Sequence, residues 1–164
     1  MIKRDILFKT DDFVFSYRVG GILIRDNKIL LQKPKNDDGY SIIGGYIACM
    51  ETAAETLKRE FKEELGCDID VGELTAVGEI FFNWGKRPCH QICLYFNVSL
   101  QDNSIPLDGV FKGVDGIGNK KMKLDFCWVD INDLQSSINF YPPELLSQIS
   151  NNNHKVFHFI SKQI

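Results

Sequence analysis

The pattern of apolar positions in the first third of the chain is typical of β-strands. Residues 6–8, 13–25 and 28–33 are rich in the β-branched and aromatic side chains that strands favour. An Asp-Asn dipeptide separates the last two segments and predicts the turn of a hairpin. Residues 33–40 contain a proline, a glycine and several polar side chains, so we expect a loop there.

Residues 52–65 have the pattern of an amphipathic helix. The segment holds no glycine or proline, and at about 100° per residue its apolar side chains fall on one stripe. Thr52 is suited to cap the first turn with Glu55 as its capping-box partner, and Gly66 is suited to end the helix. The stripe that we expect to face the core consists of Ala54, Leu57, Phe61 and Leu65.

The second half of the chain predicts further strands and one long loop. The predicted strands are residues 74–82, 90–100 and 124–129, with a last strand or helical turn at 155–160. Residues 130–137 and 142–149 predict short helices, and the glycine-rich, polar residues 101–121 predict a long loop. Strands mixed with a few helices predict a single layered domain over residues 1–164, of the α/β or α+β class.

The composition is that of a globular domain. The chain has 164 residues, of which 44% are hydrophobic and 25% charged. A formal net charge of −3 gives no electrostatic footprint for a nucleic-acid polymer. No apolar stretch reaches the ~18 residues of a membrane span, and the first residues lack the apolar region of a signal peptide. We therefore expect a cytoplasmic protein with neither nucleic-acid nor membrane partners.

The five cysteines predict reduced thiols, because their number is odd and no C-x-x-C spacing occurs. The tightest cluster, Cys89, His90 and Cys93, contains ligand types that bind zinc. Two cysteines buried in a β-strand are the favoured interpretation, since no second ligand pair with a suitable spacing is present.

Three glutamates of the predicted helix share a narrow arc beside its apolar stripe. Glu60, Glu63 and Glu64 stand at i, i+3 and i+4, where like charges repel one another. A hard divalent cation between the carboxylates relieves that repulsion. Arg59 is adjacent and is able to pair with Glu51 at the helix entrance. A solvated acidic face is the alternative interpretation.

The spacing around these glutamates favours the metal interpretation. Gly45 is followed by five residues, Glu51, seven residues, and then the run from Arg59 to Cys67 (REFKEELGC). This series resembles the Nudix box, G-x5-E-x7-R-E-U-x-E-E-x-G-U, in which U is a bulky apolar residue. Every fixed position matches. Residues 17–35 and 126–134 also resemble core strands of that family, so the likeness extends over residues 13–135.

The resemblance implies a fold, a reaction and a catalytic set. The fold would be a Nudix fold, an α/β/α sandwich around a mixed β-sheet. The reaction would be hydrolysis of a pyrophosphate bond in a nucleoside diphosphate linked to another moiety, by in-line attack of water. Mg²⁺ or Mn²⁺ would be held by Glu60, Glu63, Glu64 and the carbonyl of Gly45, with Arg59 and Glu51 supporting them. Family members are often homodimers. The alternative is a non-catalytic Nudix domain that binds a nucleotide-like ligand or a partner protein.

The segment before Glu51 departs from the habit of the family. We expect Gly44 and Gly45 to lie in a loop before the box, in which relatives usually carry a proline where this chain has Ile43. Met50 replaces a glycine, which is harmless only if the backbone there has a negative φ. Ala48 occupies a position where many relatives have another glutamate. These changes alter the segment beside the predicted metal site without removing a ligand.

The general base and the substrate contacts are less specific in the sequence. The base is either a box glutamate or one of Glu79, Asp115 and Asp125, and for these three a solvated or structural role is the better interpretation. Gln91 follows His90 where many relatives have glutamate, so that acid is missing. Five residues are candidates for substrate binding, as cations or as aromatic platforms. They are Arg18, Lys33, Lys35, Tyr46 and Trp84.

Overall fold

The computed structural model describes residues 3–35, 37–113, 124–151 and 154–164. The helices are α1 (Ala53–Leu65) and α2 (Leu146–Ser150), and short 3-10 helices span Ile131–Asp133 and Pro143–Leu145. The strands are β1 (Leu7–Lys9), β2 (Val14–Arg25), β3 (Lys28–Pro34), β4 (Gly39–Tyr46), β5 (Ile69–Trp84), β6 (Arg87–Leu100), β7 (Val110–Lys112), β8 (Leu124–Asp130), β9 (Asn139–Tyr141) and β10 (Phe157–Gln163).

The strands of these described segments form one mixed sheet. Its order is β10-β5-β6-β2-β4-β3-β8-β7, with β1 paired to β2 and β9 paired to β4. β2 is central, because it runs parallel to β6 from Val14 to Leu23 and antiparallel to β4 over Arg18–Gly21. The predicted α/β (α+β) class with a mixed sheet is confirmed.

Helical segments cover both faces of the sheet. On one face, Leu57 and Phe61 of α1 are fully buried in a cluster that includes Val19 of β2. On the opposite face, Leu145 at the start of α2 packs in a second cluster with Ile42 of β4. Each apolar stripe is therefore removed from water against the sheet, which is the main stabilising contribution in a layered domain.

The capped helix forms where the sequence predicts it. Thr52 is the N-cap: its hydroxyl accepts a hydrogen bond from the Glu55 backbone N–H at 3.2 Å, and the Glu55 carboxylate accepts one from the Thr52 N–H at 2.8 Å. Gly66 follows the last turn with φ 69°, a left-handed conformation that glycine adopts without strain. Together the two caps fix the first and last residues of α1, the helix that carries the three box glutamates.

Several local predictions are wrong. The predicted loop at 33–40 is shorter, since β3 continues to Pro34 and β4 begins at Gly39. The glycines before the box lie in β4 rather than in a loop. The helix expected at 130–137 is only the 3-10 turn Ile131–Asp133. β7 and β9 are three residues long and gave no usable sequence pattern.

The zinc cluster does not form. Cys93 is buried on the α2 side of the sheet, whereas His90 stacks between Phe81 and Phe15 on the other side. Alternate residues of a strand point to opposite faces, so these three side chains do not converge. All five cysteines are described, and all are free thiols. No helix within the described segments has both the length and the apolar character of a membrane span.

Candidate metal centre and adjoining cleft

Gly45 and Glu60 meet between β4 and α1. Gly45 pairs in register with Val19 of β2, whose side chain belongs to the core beneath α1. A side chain at position 45 would overlap the carboxyl group of Glu60, so glycine provides the space in which that carboxylate lies. Glu60 is only 3% exposed. A charge buried to this extent requires a compensating cation or hydrogen-bond donors.

Arg59 provides that compensation for more than one carboxylate. Its Nη1 donates to Glu60 Oε1 at 2.7 Å and lies 3.4 Å from Glu63 Oε2. Its Nη2 donates to Glu51 Oε2 at 2.9 Å and to the backbone carbonyl of Tyr46 at 3.3 Å. One guanidinium therefore joins the helix, the segment before it and β4, as the planar fork of arginine permits.

Glu51 is the buried partner at the entrance of the helix. Its side chain is 5% exposed and accepts hydrogen bonds from Arg59, from the Thr56 hydroxyl at 3.0 Å and from Lys3 Nζ at 2.8 Å. The Arg59 hydrogen bonds, with smaller contributions from those of Lys3 and Thr56, lower the pKa of the Glu51 carboxyl to about 2 against the opposing effect of burial. Glu51 is thus a permanent carboxylate at any physiological pH.

The remaining box glutamates lie on the outer side of Glu60. The Glu63 side chain is 31% exposed. Glu64 is half-buried and lies beside Gly113, the residue that follows β7. The structure therefore brings Glu51, Glu60 and Glu63 together through Arg59, and places Glu64 on the same flank of α1.

The donors of this set are of the chemical type that binds divalent cations, and in this structure Arg59 lies between two of them. Carboxylate oxygens are hard ligands of the kind that Mg²⁺ and Mn²⁺ prefer, and Gly45 leaves room for Glu60 among them. Across the described residues, no three His, Cys, Asp or Glu side chains converge on a single point. Nη1 of Arg59 lies between Glu60 and Glu63 in this arrangement and acts as their counter-charge.

A cleft of about 210 Å³ lies across β4, on the α2 side of the sheet. Arg18 lines it, and its guanidinium stacks 4.7 Å from the centroid of the Tyr46 ring. Gln91 also lines it, with its amide oxygen held at 3.1 Å by the buried Ser16 hydroxyl. Tyr46 therefore contacts both sites: its ring faces Arg18, and its carbonyl accepts from Arg59.

The other predicted substrate residues are more scattered. Lys33 lies 5.5 Å from the Tyr40 ring centroid and pairs with Asp38 at 3.6 Å, whereas Lys35 follows β3 in an exposed turn. Trp84 ends β5, six residues beyond Gly78, the residue of β5 that lies in the row of Arg18. At ~3.3 Å per residue, Trp84 lies ~20 Å along the sheet from that row. It does not itself line the cleft, although its ring centroid is 6.4 Å from that of Phe82, which does.

Of the candidate acids outside the box, the two that the structure describes do not reach the glutamates. Glu79 bonds to His158 at 2.8 Å between β5 and β10, three strands or ~14 Å from β4. Asp125 pairs in register with Lys33 and alternates with Phe126, which packs under α1, so the Asp125 side chain belongs to the other face. Asp115 lies outside the described residues.

Three contacts of the site have no signal in the sequence. The hydrogen bond from Lys3 to Glu51 joins residues 48 positions apart. The Thr56 hydroxyl that donates to Glu51 belongs to a residue within the helix, and the Tyr46 carbonyl that accepts from Arg59 is a backbone group, which no residue type indicates. The pairing of Arg59 with Glu51 was predictable, because the capped helix fixes their separation.

Met50 adopts a positive φ of 65°, so the condition under which it would replace glycine harmlessly is not met. We expect Met50→Gly to stabilise the protein by about 0.5–1 kcal/mol. Relief of a left-handed non-glycine backbone is worth ~1–2 kcal/mol, and the greater freedom of unfolded glycine offsets ~0.4–1 kcal/mol of it. Urea unfolding measures the difference. Met50→Ala is the matched control and should leave stability nearly unchanged, because the Met50 side chain is 89% exposed.

Comparisons with known proteins agree with this architecture. The family model described as the NUDIX domain matches residues 15–148. An ADP-ribose pyrophosphatase of Methanocaldococcus jannaschii is 44% identical over 62 residues, covering 36% of this chain and 37% of that protein. A protein of Bacillus subtilis (strain 168) is 39% identical over 85 residues, covering 51% of this chain and 41% of its own. The chain therefore spans less than half the length of the curated relatives it matches.

The solved structures are similar in fold. The crystal structure of a MutT Nudix hydrolase from Burkholderia pseudomallei superposes with a TM-score of 0.62 over 82% of this chain and 98% of that one, at 18% sequence identity. The family model covers the central sheet, α1 and the complete glutamate set, which is most of the chain. The chain belongs to the Nudix family.

Proposed function

We propose that this protein hydrolyses a pyrophosphate bond in a nucleoside diphosphate linked to another moiety. The observation that carries the proposal is the buried Glu60 carboxylate, seated on Gly45 and joined through Arg59 to Glu51 and Glu63. Burying clustered carboxylates is costly for a domain that only needs to fold. A set of this kind is expected where hard oxygens must be available to a cation.

The curated relatives indicate which compound to test first. The M. jannaschii protein, 44% identical over its matched segment, carries the name ADP-ribose pyrophosphatase. We therefore place ADP-ribose first among the substrates of this chain. The cleft beside Arg18 supports a ligand of that class, because it combines a cation and amide groups with aromatic rings from Phe82 and Tyr141.

Each residue has a role in the proposal. Glu60, Glu63, Glu64 and the Gly45 carbonyl would hold Mg²⁺ or Mn²⁺, which neutralises pyrophosphate charge and lowers the pKa of a bound water. Arg59 keeps the Glu60 and Glu63 carboxylates oriented, and Glu51 holds Arg59.

The proton of the attacking water would pass to a carboxylate of the box, as in general-base catalysis. Glu79 lies three strands from β4 and the Asp125 side chain belongs to the opposite face of the sheet, so among the described candidates we assign this role to the box itself. On the other side of β4, Arg18 and the Tyr46 ring would contact the substrate, with Arg18 providing the positive charge that an anionic phosphate requires.

The proposal is tested with a panel of compounds and either Mg²⁺ or Mn²⁺. The panel contains ADP-ribose, nucleotide sugars, dinucleoside polyphosphates, NADH, and nucleoside di- and triphosphates. We expect two phosphorylated products from a linked diphosphate, resolved by chromatography. Binding without turnover of any compound would instead favour a ligand-binding Nudix domain, and would refute the proposed activity.

A further inference from the structure

Residues 3–9, which we call the strap, lie outside the region matched by the family model, yet they line the segment that leads into α1. The Ile6 N–H donates to the Ile47 carbonyl at 2.8 Å, and the Cys49 N–H donates to the Arg4 carbonyl at 2.8 Å. Asp5 and Ala48 form an isolated antiparallel bridge between these two bonds. The strap therefore acts as an added strand along residues 47–49.

The strap is itself anchored to the sheet. β1, at its end, pairs antiparallel with β2, and the Tyr17 N–H donates to the Ile6 carbonyl at 3.0 Å. The Ile47 N–H donates to the Tyr17 carbonyl at 3.0 Å. Ile47 is thus bonded to β2 through one backbone group and to the strap through the other. Its side chain is 2% exposed, so this part of the segment is fixed by packing as well.

Lys3 extends the strap to the box. Its Nζ lies 2.8 Å from Glu51 Oε1, while Arg59 occupies both oxygens of the same carboxylate at 2.9–3.2 Å. Glu51 is therefore held between a cation of the strap and a cation of α1. Met50, the residue between this segment and Glu51, has the strained φ of 65°. The strap is positioned to support this segment on the side away from α1's Arg59, through its bonds to residues 47–49 and the contact of Lys3 with Glu51.

We propose that the strap is part of the metal cradle and that Lys3 is a positioning residue for Glu51. For Glu60 and Glu63 to hold a divalent cation, Nη1 of Arg59 has to leave their oxygens. The guanidinium then remains attached to Glu51 and to the Tyr46 carbonyl. The position of Glu51 thus determines where Arg59 rests, and Lys3 fixes Glu51. This inference rests on the proposed function only in taking the box glutamates as cation ligands.

The test is Mn²⁺ binding measured by electron paramagnetic resonance of the free ion, without substrate. We expect Lys3→Met to raise the Kd for Mn²⁺ about fivefold. This is below the ~10- to 100-fold typical of direct partners of metal ligands, because the Lys3 side chain is 63% exposed and acts through Glu51. Lys3→Arg should restore binding close to that of the wild type, since it keeps the charge and the donor.

The sign of the change separates positioning from simple charge. If Lys3 acted only as a nearby cation, its removal would reduce repulsion and lower the Kd for Mn²⁺. An unchanged or lower Kd for Lys3→Met therefore refutes the inference. Lys9→Met is the matched control, because Lys9 belongs to the strap but stacks on Trp84, 5.0 Å from its ring centroid. Its Kd should equal that of the wild type.

The outcomes also distinguish this inference from the proposed function. A wild type that does not bind Mn²⁺ refutes both. Mn²⁺ binding with an unaffected Lys3→Met refutes only the role of the strap, while binding without turnover refutes only the activity. Melting temperatures of the metal-free variants, recorded alongside, establish that every protein compared is folded at the temperature of the titration.

Discussion

Gly45→Ala is expected to leave the protein folded but to lower turnover by about 100-fold or more. The added Cβ would overlap the carboxyl group of Glu60, which is the movable end of a side chain. Overpacking of this kind costs ~1–3 kcal/mol of stability, which a domain of this size tolerates. The carboxylate, however, must leave the position between β4 and Arg59, and a loss of ~2.7 kcal/mol in transition-state stabilisation is already 100-fold. Turnover and thermal unfolding are measured on the same preparation.

Gly44→Ala is the matched control one residue earlier. A Cβ at position 44 would overlap the Val19 carbonyl, a backbone group of the β2–β4 pairing that has nowhere to move. We expect this variant to lose at least about 3 kcal/mol of stability, so that its loss of activity follows unfolding. The two substitutions should thus have different effects: Gly45→Ala lowers turnover in a folded protein, whereas Gly44→Ala lowers the free energy of unfolding. Wild-type turnover by Gly45→Ala would show that Glu60 is not required where it lies.

The features that the sequence predicts well are those with local causes. α1 begins and ends at its caps because Thr52, Glu55 and Gly66 act within one turn of their own positions. The same regular geometry places the glutamates on one flank and allows Arg59 to reach Glu51. The bounds of α1, the arc of the glutamates and the pairing of Arg59 with Glu51 depend only on residues 51–66, so the sequence of that one segment was sufficient to predict them.

The features that the sequence does not predict depend on pairing between distant strands. Glycine weakens a strand pattern, so Gly44 and Gly45 predict a loop, although pairing with β2 makes that segment a strand. Trp84 has an aromatic ring suited to stacking, but it stands at the end of β5, so that Phe82 lines the cleft and Trp84 does not. Lys3 meets Glu51 only because the strap pairs beside residues 47–49. Register, rather than residue type, determines each of these positions.

Glu63→Gln and Glu64→Gln are each expected to lower turnover by about 10³-fold and to weaken Mn²⁺ binding, while leaving the metal-free protein as stable as the wild type. Glutamine has the shape of glutamate without its charge. The lost contact between Glu63 and Arg59 is partly exposed and worth little, and relief of like-charge repulsion along α1 offsets it by a few tenths of a kcal/mol. Turnover depends on charge at the cation, which is worth several kcal/mol, and ~4 kcal/mol corresponds to 10³-fold.

The measurements are turnover and the melting temperature with and without Mn²⁺. A cation that binds only the native state raises the melting temperature, so that rise should shrink in both variants. Glu73→Gln is the control, because Glu73 is an exposed glutamate of β5 outside the cradle, and it should behave as the wild type. If both box variants turned over like the wild type, the cradle would not be the catalytic centre. If they melted at lower temperature without metal, the glutamates would instead have a structural role, since charge repulsion predicts no such loss.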